Sequence, residues 1–180
     1  MLTRPLQLSE PGDPGYEQPF EMLHACHERV HRMLALLARL REHVDAHGAD
    51  DQARQAARDV MRYFDLAAPQ HHLDEERHVL PRLESSGDPA LVRLAERLRH
   101  DHQAMEEAWP RARALLEGLA QGRLAGFEAD AHAALAGFAA LYRGHIESEE
   151  SAAFPGAQPR MDATALRRMA EDMMRRRGVG

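Results

Sequence analysis

Histidine and glutamate occur twice in this chain in the same unusual arrangement. The segment HHLDEERHVLP covers residues 71–81, and HIESEESAAFP covers residues 145–155. In both segments a histidine is followed four positions later by a pair of glutamates, and then by a proline at the same spacing. Residues four apart lie on the same face of an α-helix. Each segment therefore predicts one imidazole and one carboxylate that point in the same direction, an arrangement that can bind a metal ion.

The repeat extends beyond these two segments. Phe64 matches Phe138 at the 74-residue separation that relates the segments, and His27 matches His102 at a separation of 75. The two phenylalanines lie seven residues before the motif histidines and share their helical face. A face that carries large aromatic residues is typical of one that points into a core. We therefore expect the histidines and glutamates to be buried, in a chain built as a duplicated helical hairpin.

A buried carboxylate is costly unless it is paired or bound to a metal. Several helices that bring histidine and glutamate to one interior point therefore predict a metal site. The pattern lacks a set of thiolates, so it favours iron, manganese or zinc bound by imidazole and carboxylate over a structural cysteine-type zinc site. The candidate ligands are His27, His71, Glu75, His102, Glu106, His145 and Glu149. Two roles remain open for Glu106: a metal ligand, or a group that supports a ligand.

The duplication also selects the register of the first segment. His72 and Glu76 are four residues apart as well, but position 146 in the second segment is isoleucine. We therefore expect Glu76 and Glu150 at the surface or in support of the ligands. His24 and His31 flank His27 and have three interpretations: supporting groups, alternative ligands or solvent-exposed side chains. The remaining histidines expected at the surface are His43, His47, His72, His100 and His132.

The elements that must position these residues are helical. Ala, Leu, Arg and Glu dominate, all of which favour helices, and no segment alternates as a half-buried strand does. The expected helices cover about 19–47, 51–85, 89–122, 126–153 and 162–177. Four long helices with short connections predict an all-α, up-down-up-down four-helix bundle with a short extra C-terminal helix. We divide the chain into an irregular leader (1–18), the bundle (19–156) and a C-terminal helix packed on it (157–180).

Composition limits the function classes. The 180 residues suffice for one domain with a hydrophobic core, and the net charge of −6 leaves no basic patch for nucleic acid. No segment is long and apolar enough to cross a membrane. The single cysteine, Cys26, cannot form an internal disulfide, which favours a reducing, cytoplasmic location. Arg175–Arg177 are expected to complement the C-terminal dipole of the last helix.

The sequence resembles the hemerythrin-like, or HHE cation-binding, family. The matching segments are ACHERV around His27, HHLDEERHVLP, DHQAMEEAW at 101–109, and HIESEESAAFP, and they cover about residues 19–156. Four motifs in order, with duplicated spacing, form a specific signal. The resemblance implies a four-helix bundle with two non-haem irons joined by an oxo or hydroxo bridge. It would make Glu75 and Glu149 bridging ligands and the four motif histidines terminal ligands.

Two departures separate the chain from hemerythrins proper. Those proteins carry a second histidine where this chain has Glu106, and they bridge from a carboxylate five residues after the last histidine, here Glu150. The duplication favours Glu149 instead. These departures argue against simple reversible oxygen carriage.

The first functional hypothesis is a di-iron protein that binds or reacts with O₂ or a related small ligand such as NO or peroxide. Its role would be sensing, storage or detoxification, in a binding protein more than a dedicated enzyme. The alternatives are a ferritin-like di-iron oxidase or peroxidase, an iron-sensing interaction module and a metal-free helical module. The ferritin-like class uses Glu-x-x-His on two helices, and the Glu-x-x-His pairs here have no counterpart in the second half of the chain.

Overall fold

The computed structural model describes residues 15–179, which form helices joined by short connections, with no strand among them. The prediction of an all-α fold is confirmed. The first fourteen residues of the expected leader lie outside the described part of the chain. The α-helices are α1 (Pro19–His47), α2 (Asp51–Asp74), α3 (Leu80–Glu84), α4 (Pro89–Ala120), α5 (Ala129–Ser148), α6 (Phe154–Ala157) and α7 (Ala163–Arg177).

Local sequence signals set the helix boundaries. The carboxylates of Asp50, Asp88 and Asp162 accept hydrogen bonds from the first-turn backbone N–H groups of α2, α4 and α7. Short polar side chains are favoured at such positions because they satisfy donors that the helix leaves free. Helix α1 ends at Gly48, which has φ of 77° and donates its N–H to the Val44 carbonyl. A positive φ of this kind favours glycine.

Two π-helical segments interrupt the regular helices, and both begin at a motif glutamate. They span Glu75–Val79, between α2 and α3, and Glu149–Ala153, between α5 and α6. At the end of each segment a backbone N–H donates to the carbonyl five residues earlier, that of Glu75 or Glu149. A proline, which has no N–H to donate, follows directly in both copies. Single π turns are frequent at functional sites, and the sequence analysis did not anticipate these two.

The four long helices pack in a closed ring, in which α1 contacts α2, α2 contacts α4, α4 contacts α5, and α5 contacts α1. Two hydrophobic clusters fill the interior. The larger one includes Val30, Phe64, Met105, Phe138 and Ile146. The other one includes Leu23, Leu80, Leu98, Phe154 and Met173, so α7 takes part in it. Three motif histidines, His27, His71 and His102, fall between these two clusters along the chain, as His27 does between Leu23 and Val30.

Candidate metal centre

The four long helices each contribute one histidine to a single buried centre. His27 lies in α1 and His102 in α4, while His71 and His145 lie in the last turns of α2 and α5. The glutamates are the first residues of the two π-helical segments. The relative exposure of the six residues ranges from 0% to 4%. We call His27, His71, Glu75 and Glu76 the first half-site, and His102, His145, Glu149 and Glu150 the second half-site.

The two carboxylates lie between the imidazoles of both half-sites. Nε2 of His71 is 3.1 Å from Oε1 of Glu75, and Nε2 of His102 is 3.4 Å from the other oxygen of Glu75. Glu149 is arranged in the same way, with Oε1 3.1 Å from His145 Nε2 and Oε2 3.1 Å from His27 Nε2. Each glutamate thus directs one oxygen to a histidine of its own half-site and one to a histidine of the other half-site.

These atoms form two overlapping groups that could each hold an ion. One group is His27, His71, Glu75 and Glu149, and the other is Glu75, His102, His145 and Glu149, with ligand atoms within 4.8 Å of one another in each. The glutamates belong to both groups. The structure therefore brings together six of the seven candidate ligands, in an arrangement with two metal positions and two shared carboxylates.

The donor atoms are poorly satisfied by the protein alone. Both oxygens of Glu75, both oxygens of Glu149 and Nε2 of His27 are buried and have no hydrogen-bond partner among the described residues. Buried polar atoms are nearly always hydrogen-bonded. Two ligands at right angles on an ion, each at about 2.1 Å, would be about 3 Å apart, close to the distances between these atoms. The residues therefore fit a metal centre better than a set of buried ion pairs.

The imidazoles and carboxylates of the centre shift one another's pKa values, so that the imidazoles hold their protons more tightly. Burial by itself lowers the pKa of His27, but the carboxylates of Glu149 and Glu75 outweigh it and raise this pKa to about 11. The pKa of His102 is raised to about 11 for the same reasons. Burial raises the pKa of Glu149, but its imidazole neighbours hold it well below the usual range. A metal ion would replace these protons as the positive charge.

A second layer of carboxylates orients the imidazoles and crosses between the half-sites. Oε1 of Glu76 is 2.9 Å from Nδ1 of His102, and Oε1 of Glu150 is 2.9 Å from Nδ1 of His27. A carboxylate at Nδ1 keeps the proton there and leaves the Nε2 lone pair facing the centre. Glu76 and Glu150 thus support the ligands, one of the two roles expected for them.

The Nδ1 atoms of the other two histidines have different neighbours. Nδ1 of His145 is 3.4 Å from the Asp101 carboxylate. Nδ1 of His71 is buried and has no hydrogen bond among the described residues, and the thiol of Cys26 lies beside this ring. Burial raises the pKa of that thiol, but His71 and Arg29 outweigh burial and lower it.

Glu106, the seventh candidate, is not brought to the centre. Its side chain is exposed and belongs to neither group of ligand atoms. It borders a small cavity of about 40 Å³ between α2, α4 and α5. The other residues that line this cavity are Phe64, Ala68, Pro69, His72, Met105, Trp109 and Tyr142.

His72 is the residue that the sequence analysis missed. The prediction that it lies at the surface is wrong, because only 6% of it is exposed. Its ring stacks on His102 with centroids 4.2 Å apart, and it forms a buried group with His102 and His145. Burial and the neighbouring His102 lower the pKa of His72 well below its usual range. The duplication carries no signal for it, since its counterpart is Ile146.

The other histidines near the motifs lie outside the centre. Nδ1 of His24 is 3.3 Å from Glu150, and about half of the His24 side chain is exposed. His31 is exposed. Nε2 of His78 is 3.1 Å from Asp172 in α7. His24 is therefore a neighbour of a supporting carboxylate, and His31 is a solvent-facing residue.

The arginines at the end of α7 do more than complement a helix dipole. Asp74, the residue before Glu75, is fully buried. Its carboxylate accepts hydrogen bonds from Arg176 and from Arg177, the latter at 2.5 Å. The three arginines lie in the last turn of α7, where the sequence analysis expected them to complement the helix terminus. Arg176 and Arg177 in addition join α7 to the last turn of α2, directly beside the candidate metal centre.

Comparison with known proteins agrees with this geometry. The family model of the hemerythrin HHE cation binding domain matches residues 18–157. An uncharacterized protein of Haemophilus influenzae is 30% identical over 175 residues, which cover 97% of this chain and 99% of that protein. Within residues 15–179, no helix combines the length and the apolar character that crossing a membrane requires.

Proposed function

The chain belongs to the hemerythrin HHE cation-binding family, and on this basis we propose that it is a non-haem di-iron protein. It would bind or react with O₂ or a related small ligand such as NO or peroxide, for sensing, storage or detoxification. One observation carries the proposal. The four carboxylate oxygens of Glu75 and Glu149 are buried without a hydrogen-bond donor, and Nε2 atoms of both half-sites lie next to them.

The donor set is compatible with iron, and the shared carboxylates support a count of two. Imidazole and carboxylate suit iron, manganese and zinc, and all three can compete for such a site. The two overlapping groups share Glu75 and Glu149, which is what two ions bridged by carboxylates require. The closed ring of helix contacts supports an up-down-up-down four-helix bundle as the frame, with residues 19–156 as the bundle and 157–180 as the added helix.

Each protein group has a definable task. His27 and His71 would bind one iron, and His102 and His145 the other, with Glu75 and Glu149 as shared ligands. Glu76 and Glu150 hold protons on Nδ1 of His102 and His27, which keeps the Nε2 lone pairs directed inward. When bound, the two ferrous ions would supply the electrons that reduce O₂ or a related oxidant.

The apolar surroundings limit access of water. The hydrophobic clusters lie on both sides of the centre, and the Phe154 ring stacks on His27 with centroids 5.3 Å apart. A dry centre strengthens the electrostatic interactions inside it and suppresses side reactions with water. We also propose a cytoplasmic location, because the single cysteine is free and buried and ferrous iron needs reducing surroundings.

No observation favours the ferritin-like alternative. The histidine of one Glu-x-x-His pair, His78, contacts Asp172 instead of the centre. In the other two pairs both residues, Glu21 with His24 and Glu28 with His31, are exposed.

The experiment that tests the proposal is a metal analysis of anaerobically purified protein, followed by its visible spectrum before and after air. We expect two irons per chain and a new charge-transfer band in air. Two irons with no response to air would keep the site and remove the oxygen chemistry. Folded protein that contains no iron and cannot be reconstituted with Fe(II) would overturn the proposal.

A further inference from the structure

A basic cavity lies where the first copy of the repeat meets α7. Its volume is about 410 Å³, and none of its lining residues belongs to the groups of candidate metal ligands. We propose that this cavity binds a phosphate-type oxyanion, either as free phosphate or as the phosphate group of a small molecule. The side chains on which the argument rests are those of His78, Arg82, Arg160, Asp162, Thr164 and Arg168.

The positive charge of the cavity is not balanced by the protein. Arg82, Arg160 and Arg168 line it, against one acidic residue, Asp162. The Asp162 carboxylate is already used at the start of α7, where it accepts a hydrogen bond from the Ala165 N–H at 2.7 Å. Within residues 15–179, none of the three arginines forms an ion pair. An anion in the cavity would supply the missing negative charge.

Arg82 carries the clearest sign of a missing acceptor. Its Nε is buried and has no hydrogen-bond partner among the described residues, although buried polar atoms are nearly always hydrogen-bonded. The nearby carboxylate of Glu84 does not serve it, because that group pairs with Arg99 at 2.9 Å. A guanidinium presents a planar fork of N–H donors that matches the oxygens of a phosphate. A bound phosphate would therefore satisfy both the charge and the donors of Arg82.

Other donors around the cavity are only partly used. Arg160 donates from Nη1 to the Gly156 carbonyl at 2.7 Å, and a guanidinium has five N–H donors in all. The hydroxyl oxygen of Thr164 accepts from Arg167 at 3.1 Å, which leaves the hydroxyl hydrogen for another acceptor. A phosphate has enough oxygens to accept from several such groups at once. The cavity thus combines charge with donors from both of its sides, α3 and α7.

The cavity is a feature of one copy of the repeat. Arg82 and His78 match Gly156 and Ala152 in the second copy, so the second copy lacks both basic side chains. His78 is held by Asp172 of α7, at 3.1 Å from its Nε2. An oxyanion bound here would bridge the end of the first π-helical segment, α3 and α7, which already meet at this contact.

The size of the cavity indicates a small molecule. Its volume lies within the range of about 300–1,000 Å³ that is usual for small-molecule sites. A phosphate ion alone would leave part of this space empty. The cavity therefore has room for an organic group attached to the phosphate, and the two sources of the oxyanion can be distinguished by experiment.

The test is isothermal titration calorimetry of the full chain, purified anaerobically and freed of unbound metal. The probes are inorganic phosphate, ribose 5-phosphate and ribose, each at the same ionic strength. The variants are Arg82→Gln, Arg168→Gln and Arg82→Lys. The control is Arg143→Gln, which removes the same charge from an exposed position of α5 that does not line the cavity.

We expect both phosphates to bind the unchanged protein and ribose not to bind. Tighter binding of ribose 5-phosphate would identify a phosphorylated small molecule as the ligand, and equal binding would identify free phosphate. Arg82→Gln and Arg168→Gln should each weaken binding by about tenfold or more, as expected for a lost hydrogen bond to a charged group. Arg82→Lys keeps the charge but not the planar fork, so its affinity should be intermediate. Arg143→Gln should bind as the unchanged protein does.

A second measurement separates binding from folding. Phosphate at about 100 times its Kd should raise the Tm of the unchanged protein by a few degrees, because a ligand stabilises the state that binds it. The Tm of Arg82→Gln should not respond, while its helical circular dichroism and its Tm without phosphate show that it is folded.

Three outcomes would overturn the inference. Absence of heat with both phosphates would show that the cavity is only a solvated basic surface. Equal affinity in Arg82→Gln, Arg168→Gln and the unchanged protein would place the phosphate elsewhere, the metal centre included. An equal rise in Tm with sodium chloride at the same ionic strength would reduce the effect to screening of charge. None of these outcomes bears on the proposed di-iron centre, whose test is the metal content.

Discussion

The first and second half-sites have the same ligands but different neighbours. Each combines two histidines, a shared glutamate and a supporting glutamate, and each supporting carboxylate is 2.9 Å from an imidazole of the other half-site. The differences occur at positions that the repeat pairs with each other. These pairs are His72 with Ile146, Asp74 with Ser148, and Cys26 with Asp101.

The comparison distinguishes positions that are the same in both copies from positions that differ. The residues that would touch metal, and those that hold their protons, are kept in both copies. Positions next to these residues have diverged, and in the first copy Asp74 forms ion pairs with two arginines of α7. Ser148 in the second copy donates its hydroxyl hydrogen to the Gly144 carbonyl of its own helix. The candidate ligands are therefore the same in both copies, while their neighbours differ.

The largest expected effect is common to both half-sites. Glu75→Ala and Glu149→Ala should each abolish binding of both irons, because each glutamate is shared by both positions. His71→Ala should lose metal as well. The control is His132→Ala, whose ring nitrogens contact Asp45 and Arg41 far from the centre along the chain. Iron content per chain after anaerobic reconstitution measures the effect, and equal content in all four variants would refute the assignment.

The next largest effect, on thermal stability, should differ between the two copies of the repeat. Asp74→Asn removes a buried carboxylate that pairs with Arg176 and Arg177. Loss of one partner of a buried ion pair costs about 3–5 kcal/mol of unfolding free energy, or roughly 6–20 °C in Tm. Ser148→Ala, at the matching position, should change Tm by only a few degrees. Thermal melting of the metal-loaded proteins checks this, and equal melting temperatures would show that α7 is not anchored by Asp74.

A smaller effect, on metal affinity, should be similar in the two half-sites. Glu76→Gln and Glu150→Gln each replace a supporting carboxylate, and loss of such a group costs about 10–100-fold in metal affinity. Because their distances to Nδ1 of His102 and His27 are the same, we expect both losses to fall within tenfold of each other. Competition with a chelator for Fe(II) gives the two affinities. A loss confined to one variant would show that only one imidazole depends on its carboxylate.

The smallest effect concerns Asp101 and Cys26. The contact of Asp101 with His145 Nδ1 is long, at 3.4 Å, so Asp101→Asn should weaken metal binding by about tenfold, the low end for a supporting group. Cys26→Ser should weaken it less, since His71 Nδ1 has no hydrogen bond to lose among the described residues. The same competition assay checks both. A larger loss for Cys26→Ser would mean that the thiol, and not the carboxylate, is the stronger support.

The repeat was sufficient to predict most of the candidate centre. His71, Glu75, His145 and Glu149 recur at one spacing, and phenylalanines on the same helical face indicated burial, so periodicity alone predicted which side chains meet. Helix α1 has the bounds Pro19–His47, as the proline at its start and the glycine directly after its end indicated. These features depend on residues close in sequence, where helical geometry determines direction.

The sequence by itself thus determined the helical class, the family and six converging candidate ligands. Only the tertiary structure decided the place of His72, the exposure of Glu106 and the pairing of Asp74 with Arg176 and Arg177. The direction of His72 relative to His71 follows from the helix. Whether a side chain with that direction reaches solvent or another imidazole depends on how close α4 lies to α2. The sequence pattern of a single helix does not specify the distance between two helices. The periodicity likewise gave no sign of the two π-helical segments, because it predicts a regular α-helix through Glu75 and Glu149.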